Sequence, residues 1–198
     1  IRDRPVPASL NINLDIQPGE KVGLIGQTGA GKTTLSKLMS GLISPQEGSI
    51  LVDDYALNTI PPAEWRNQVG VVPQNPHFFV GTIKDNIILG REGVSDDDFE
   101  RAVHLSGLDL FTKQTGQGLD IEVGENGKNL SGGQQQAIAL ARTLVKSPPI
   151  IIFDEPTNGM DHALEVRIMT GLKEYLSDKT FIMVTHRTTL LPLVDRLV

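Results

Sequence analysis

Gly26-Gln27-Thr28-Gly29-Ala30-Gly31-Lys32-Thr33 has the spacing G-x-x-x-x-G-K-[ST] of a phosphate-cradling P-loop. Its glycines let successive backbone N–H groups converge on phosphate oxygens. Lys32 reaches the outer phosphates, and the Thr33 hydroxyl is a ligand for Mg²⁺. A second group follows the apolar run Ile150-Ile151-Ile152-Phe153, which ends in Asp154-Glu155. An acid at the C-terminal end of a buried strand lies where open α/β sheets bind their ligands. Asp154 is the expected Mg²⁺ partner, directly or through water, and Glu155 is placed to polarise an attacking water. His186 follows another apolar run, Thr180 to Thr185, and reads as either structural or catalytic. Gln74 also follows a strand, and its amide could touch Mg²⁺ or water; alone it is a weak signal. Ser131-Gly132-Gly133-Gln134 places a hydroxyl and two glycines at a helix start, a second anion nest. One chain offers no second triphosphate to fill it.

Positioning these groups takes a particular set of elements. Val22 to Ile25 reads as a short buried strand and Thr34 to Met39 as an amphipathic helix, so the P-loop has its strand-loop-helix context. Residues 8–17 alternate apolar and polar, the pattern of a half-buried strand. Strands are also expected at 48–52, 69–74, 150–153 and 180–185, with a short helix from Pro61 and a longer one over 164–176. Trp65 in the short helix reads as packing. From Thr82 to Leu144 the pattern is helical; Ser95 with Asp96, Asp97 and Asp98 reads as a capped helix start rather than a metal site. Residues 115–129 form a glycine-rich loop. Buried strands alternating with helices give an α/β fold on a parallel sheet, and the helical run of about 82–142 is an insertion in it.

Composition narrows the function. The net charge of −6 argues against general nucleic-acid binding. With no cysteine, disulfides and thiolate metal sites are excluded. No apolar run approaches the roughly 20 residues that cross a bilayer. The sequence opens at Ile1 and closes at Val198 without a tail, as expected of a domain cut from a longer polypeptide.

Leu130-Ser131-Gly132-Gly133-Gln134 carries a family resemblance. The chain resembles the nucleotide-binding domain of an ABC transporter, and this pentapeptide matches that family's signature motif. The resemblance runs through the chain in the family's order. It implies a P-loop NTPase (RecA-like) core with a parallel sheet, an N-terminal antiparallel β subdomain and an inserted α-helical subdomain. The core lobe would span about 1–81 and 143–198, the helical subdomain about 82–142. It implies ATP and Mg²⁺ as ligands. Gly26 to Thr33, with Thr34, would cradle the phosphates; Thr33, Gln74 and Asp154 would serve the metal. Glu155 would be the general base, and His186 would contact the γ-phosphate. Asp161 would lie in a loop that crosses to a partner domain. Two copies would pair head to tail as a homodimer, with Ser131 and Gly133 of one closing over the γ-phosphate held by Lys32 of the other.

Within the family the exporter branch is the nearest in pattern, through Val123-Gly124-Glu125-Asn126-Gly127 and Phe78 to Ile87. The usual leading threonine of the first stretch is Ile121 here. Phe78 and Phe79 suit core or interface equally. Pro18 to Gly23 and Val184 to Arg187 resemble type I secretion ATPases, which implies a transmembrane domain in the same polypeptide, a secreted protein as cargo, and work at the cytoplasmic face of a bacterial inner membrane. A lipid, drug or peptide exporter is the alternative, and a soluble ABC-type ATPase a more distant one. Three departures stand out. The adenine-stacking aromatic position falls at or before Ile1. Asn158-Gly159-Met160-Asp161 replaces a Ser-Ala-Leu-Asp type, and Gly159 is expected to loosen the crossing loop. Gln135 stands where arginine is common and is expected to be a surface change without consequence.

Overall fold

The computed structural model describes residues 12–27, 29–115 and 118–198. Its centre is a five-stranded, wholly parallel sheet. In chain order the strands are β1 (Lys21–Leu24), β4 (Val69–Val72), β5 (Ile150–Asp154), β6 (Thr180–Val184) and β7 (Arg196–Leu197), and in space they run β4-β5-β6-β1-β7. Between β1 and β4 in sequence lies a small antiparallel hairpin, β2 (Leu51–Val52) and β3 (Tyr55–Ala56).

The central strands read as unbroken apolar runs because both faces of the sheet are covered. Successive side chains still part to opposite sides. Ile151 and Phe153 of β5 join Phe181 and Met183 of β6 in the larger core, where the Phe153 and Phe181 rings meet edge to face with centroids 5.1 Å apart. Ile152 joins Val22, Leu24, Ile182 and Val184 on the other face. Leu35 and Met39 of α1 (Lys32–Met39) pack there, so the helix that starts in the P-loop is anchored on the strand that precedes it.

The larger core is shared with the helices between β4 and β5: α3 (Ile83–Ile88), α4 (Asp96–Leu105), α5 (Leu108–Thr115) and α6 (Gly132–Leu144). Of these, α6 is buried almost all round from Gln136 to Leu144, and Thr143 ties it to the sheet by donating to the Val71 carbonyl at 2.9 Å. A short helix, α2 (Pro62–Gln68), precedes β4, and α7 (His162–Tyr175) joins β5 to β6. Ser95 caps α4 by accepting from the Asp98 N–H, as the acidic start implies. Trp65 is buried, with its Nε1–H donating to the Met39 carbonyl and its ring against Gly41. It packs, as expected.

Two expectations need correction. Residues 12–17 run as coil rather than strand, although they alternate as predicted; residues 8–11 of that stretch lie outside the described residues. The strand expected over 48–52 contracts to Leu51–Val52, both at least partly solvent-exposed. Among the described residues, no helix is long and apolar enough to cross a membrane.

Candidate functional site

The sheet order brings three of the predicted groups to one edge. The adjacent strands β5, β6 and β1 end, in that order, in Asp154-Glu155, in Thr185-His186 and in the P-loop. Neighbouring strands lie about 4.8 Å apart, so the acids and the loop flank a gap of roughly 10 Å with His186 between them.

After β1 the chain leaves the sheet at Ile25 and turns through Gly29 and Gly31, both left-handed at φ 88° and 92°. Nothing lies within 4 Å of a Cβ built on Gly29, so glycine is needed there for its dihedral and not for space. Gly31 caps α1 without any side-chain hydrogen bond, which leaves N–H groups of the first turn for a ligand. Lys32 folds back and donates from Nζ to the Gly26 and Gln27 carbonyls, at 2.7 and 3.0 Å. Gln27 and Ala30 form the tip, joined by an Ala30 N–H to Gln27 carbonyl bond of 3.1 Å. Thr33 and Thr34 continue into the helix. Thr28 lies outside the described residues.

Asp154 is buried at the end of β5, and its Oδ1 has no hydrogen-bond partner among the described residues. Burial pushes its carboxyl above the ordinary carboxylate range. The Thr33 hydroxyl works against that, the Glu155 charge adds to it, and Lys37 and Lys32 work against it. A buried carboxylate oxygen without a donor among the described residues, beside the Thr33 hydroxyl, is an all-oxygen pair of the kind hard cations take, so the residues present fit Mg²⁺. Glu155 follows in a left-handed conformation, φ 52°, uncommon for a residue with a side chain. Its N–H donates to the Val184 carbonyl at 2.9 Å, which fixes it to the end of β6. That brings its Oε1 to 2.8 Å from His186 Nδ1. The His186 side chain is 73% exposed and the Glu155 carboxylate only 12%, so the pair reaches from the sheet edge into solvent.

The other predicted residues are held elsewhere. Gln74 follows β4, beside β5; its carbonyl accepts from the buried Gln136 at 2.8 Å while its own side chain is exposed. Ser131 caps α6 reciprocally: its hydroxyl accepts from the Gln134 N–H at 3.3 Å and its N–H donates to Gln134 Oε1 at 2.8 Å. Gly132 and Gly133 lie against the loop after β5, where a Cβ built on Gly133 would sit 2.8 Å from the Gly159 carbonyl oxygen. Among the described residues, no hydrogen bond joins Ser131–Gln134 to the P-loop. Asp161 caps α7, its Oδ1 accepting from the Leu164 N–H at 2.8 Å.

Two expectations from sequence fail here. Gly159 does not loosen its loop. At φ 76° it brings backbone against backbone, and a Cβ there would meet the Gly132 carbonyl carbon and the Gly133 nitrogen, both at 3.2 Å. Gln135 is not an idle surface residue: its amide donates to the Gly127 carbonyl at 3.0 Å and ties the glycine-rich loop to α6. The two phenylalanines divide the roles left open for them. Phe78 is buried beneath the Arg142 guanidinium, 5.2 Å from its ring centre, and Phe79 is 65% exposed next to the exposed Val80. Reading the sequence missed Glu165, a buried carboxylate in the first turn of α7 that gathers Thr157, Arg187 and Thr189. No local signal marked it, because its partners lie 8, 22 and 24 residues away in sequence.

The chain belongs to the ABC transporter family, whose model matches residues 10–158. It is an ATP-binding domain of that family, with the P-loop NTPase fold. It is 39% identical over 193 residues to the toxin RTX-I translocation ATP-binding protein of Actinobacillus pleuropneumoniae, a match covering 97% of this chain and 27% of that protein. It is 40% identical over 196 residues to the ATP-dependent lipid A-core flippase of Salmonella paratyphi A, covering 98% of this chain and 34% of the relative. A solved bacterial Atm1-family ABC exporter with ATP bound superposes with a TM-score of 0.86 at 37% identity, over 91% of this chain and 32% of that one. The chain therefore spans between about a quarter and a third of the length of the proteins it matches.

Proposed function

We propose that the chain is the ATP-hydrolysing motor of an exporter, and that Asp154, whose Oδ1 has no partner among the described residues, is with Thr33 and Glu155 the centre of the site. Lys32, Thr33 and Thr34, with the backbone from Gly26 to Gly31, take the triphosphate. Lys32 gives up its two carbonyl partners for phosphate oxygens. Thr33 and Asp154, with Gln74 at the end of β4, would hold Mg²⁺, which would supply charge neutralisation at the phosphates. Glu155 accepts a proton from the water that attacks the γ-phosphorus, as the bond to the ADP oxygen breaks. His186, hydrogen-bonded to Glu155, orients that carboxylate and contacts the γ-phosphate.

The signature turn is already capped and packed away from the P-loop of its own chain, which supports a second copy as its target. In the working unit two chains sandwich two ATP, with Ser131, Gly132, Gly133 and Gln134 of one facing Lys32 of the other and Asp161 at the crossing. The core lobe is residues 1–81 and 143–198, and the helical subdomain is 82–142. A transmembrane domain of the same polypeptide docks on this unit at the cytoplasmic face of a bacterial inner membrane. Exposed Phe79 and Val80 suit that contact.

Protein secretion is the cargo reading we favour, from the likeness to the RTX-I translocation protein. The equal likeness to a lipid A-core flippase supports a lipid as the second. Transport of each cargo class into vesicles by the full-length protein separates them. The motor reading is tested by Glu155→Gln in the full-length protein. Turnover of MgATP is expected to fall by roughly 10² to 10⁴-fold, the scale of a lost general base, with ATP binding retained. Unchanged turnover removes Glu155 from its role.

A further inference from the structure

Glu165 is 2% exposed, and nothing in the hydrolytic scheme uses it. Its carboxylate collects donors from three places in the sequence. Thr157 Oγ1 donates to Oε2 at 2.8 Å from the loop that leads from Glu155 to Asp161. Arg187 Nη1 pairs with the same oxygen, and the Thr189 hydroxyl donates to Oε1. Arg187 and Thr189 belong to the segment that carries His186. Both carboxylate oxygens are therefore taken, Oε1 by the His186 segment and Oε2 by that segment and the loop after Glu155 together, beside a cleft lined by His162, Glu165, His186, Arg187 and Thr189. Burial alone would raise the Glu165 carboxyl; the Thr189, Thr157 and Arg187 hydrogen bonds and the Arg187 charge outweigh it and hold it below its usual value.

His186 needs such support. Its ring has one hydrogen bond among the described residues, to Glu155, and is otherwise in solvent. What fixes it is its own backbone, and that backbone is fixed by its neighbour: the Arg187 N–H donates to Thr185 Oγ1 at 3.0 Å, and the Arg187 guanidinium is clamped on Glu165. On the other side, Thr157 closes the turn to Met160 through a 3.1 Å backbone bond, and Glu165 is bonded through its own N–H to the Asp161 carbonyl. One buried carboxylate thus ties the segment that presents His186 to the loop that ends in Asp161.

We propose that Glu165 is a positioning residue that couples these two segments, so that the setting of His186 over one ATP and the setting of Asp161 toward the partner chain change together. This rests on the motor reading above. The test compares Glu165→Gln, Glu165→Asp and wild type in the full-length protein. In Glu165→Gln, kcat is expected to fall about 10- to 100-fold, the scale of lost support behind a reacting group, with KM for ATP within about threefold. The Hill coefficient for ATP should fall toward one. Glu165→Asp, which keeps the charge, should recover part of both. A readout independent of hydrolysis is the ¹⁵N spectrum of the His186 ring without nucleotide, where loss of the clamp should weaken the bond to Glu155 and shift Nδ1. If Glu165→Gln keeps wild-type kcat and cooperativity, or if turnover falls only in proportion to the folded fraction while the His186 ring signal is unmoved, the coupling role is overturned. If wild type itself does not hydrolyse ATP, the motor reading fails instead; an unshifted ring signal in Glu165→Gln then overturns the coupling on its own.

Discussion

The two glycine-rich turns of this chain are built in opposite ways. At the P-loop, polar groups are provisional. Lys32 rests on carbonyls of its own loop, Gly31 caps α1 with no side chain, and Asp154 Oδ1 has no donor among the described residues. At Ser131–Gln134 they are committed: a reciprocal cap closes the helix end, and Gly133 and Gly159 lie backbone on backbone. A surface that must exchange partners when a ligand arrives is left partly unsatisfied, whereas one that only has to present a fixed shape to another molecule is finished in advance.

The contrast can be attacked first at its glycines. Gly133→Ala forces a Cβ to 2.8 Å from a backbone oxygen, so it should destabilise the fold by about 2–3 kcal/mol in denaturant unfolding, the upper range of overpacking. Gly29→Ala meets no atom and carries only the left-handed dihedral, about 1 kcal/mol. Equal costs at the two positions would erase the distinction. Next comes Asp154→Asn. The folded carboxyl is raised, so between its ordinary titration range and the raised folded value the native state binds the proton more tightly than the unfolded chain does. Asp154 therefore supports stability at low pH and loses that support as pH rises through the folded value. Removing the charge should make the nucleotide-free protein more stable at pH 7, by about 1 kcal/mol, and flatten the acid side of the stability profile while abolishing Mg²⁺-dependent nucleotide binding. A loss of stability instead would mean that Asp154 is already satisfied. Ser131→Ala should have the smallest effect. Its hydroxyl bond to the Gln134 N–H is long, 3.3 Å, and the backbone packing of Gly133 stays in place, so thermal unfolding should show a loss of only about 0.5 kcal/mol, the low end for a cap.

The same contrast explains what could be read from sequence. The P-loop, the Asp154-Glu155 strand end and the Ser131 cap are contiguous, and their chemistry is written within a few residues. The parallel sheet was legible because β5 and β6 are too apolar to be anything but buried on both faces. The alternation over 12–17 is equally regular, but periodicity says which face would be buried and not whether a neighbouring strand is there to pair with. The Glu165 clamp spans separations of 8, 22 and 24 residues, so no window contains it. Gly159 was misjudged for a related reason: a glycine admits both freedom and close approach, and only the Gly132–Gly133 backbone lying against it decides which.

The position of β1 has a bearing on how the chain comes to be made. Among the described strands β1 pairs with β6 and β7 alone, Lys21 to Leu24 against Phe181 to Val184 and Val22 and Gly23 against Arg196 and Leu197. During synthesis the phosphate loop emerges ahead of its lateral neighbours, and the strand that holds it stays unpaired until some 150 further residues have followed, a delay of roughly 10–30 s at ordinary elongation rates. Through that interval the nascent polypeptide carries the full binding motif without the sheet that supports it, so ligand capture waits on the synthesis of β6.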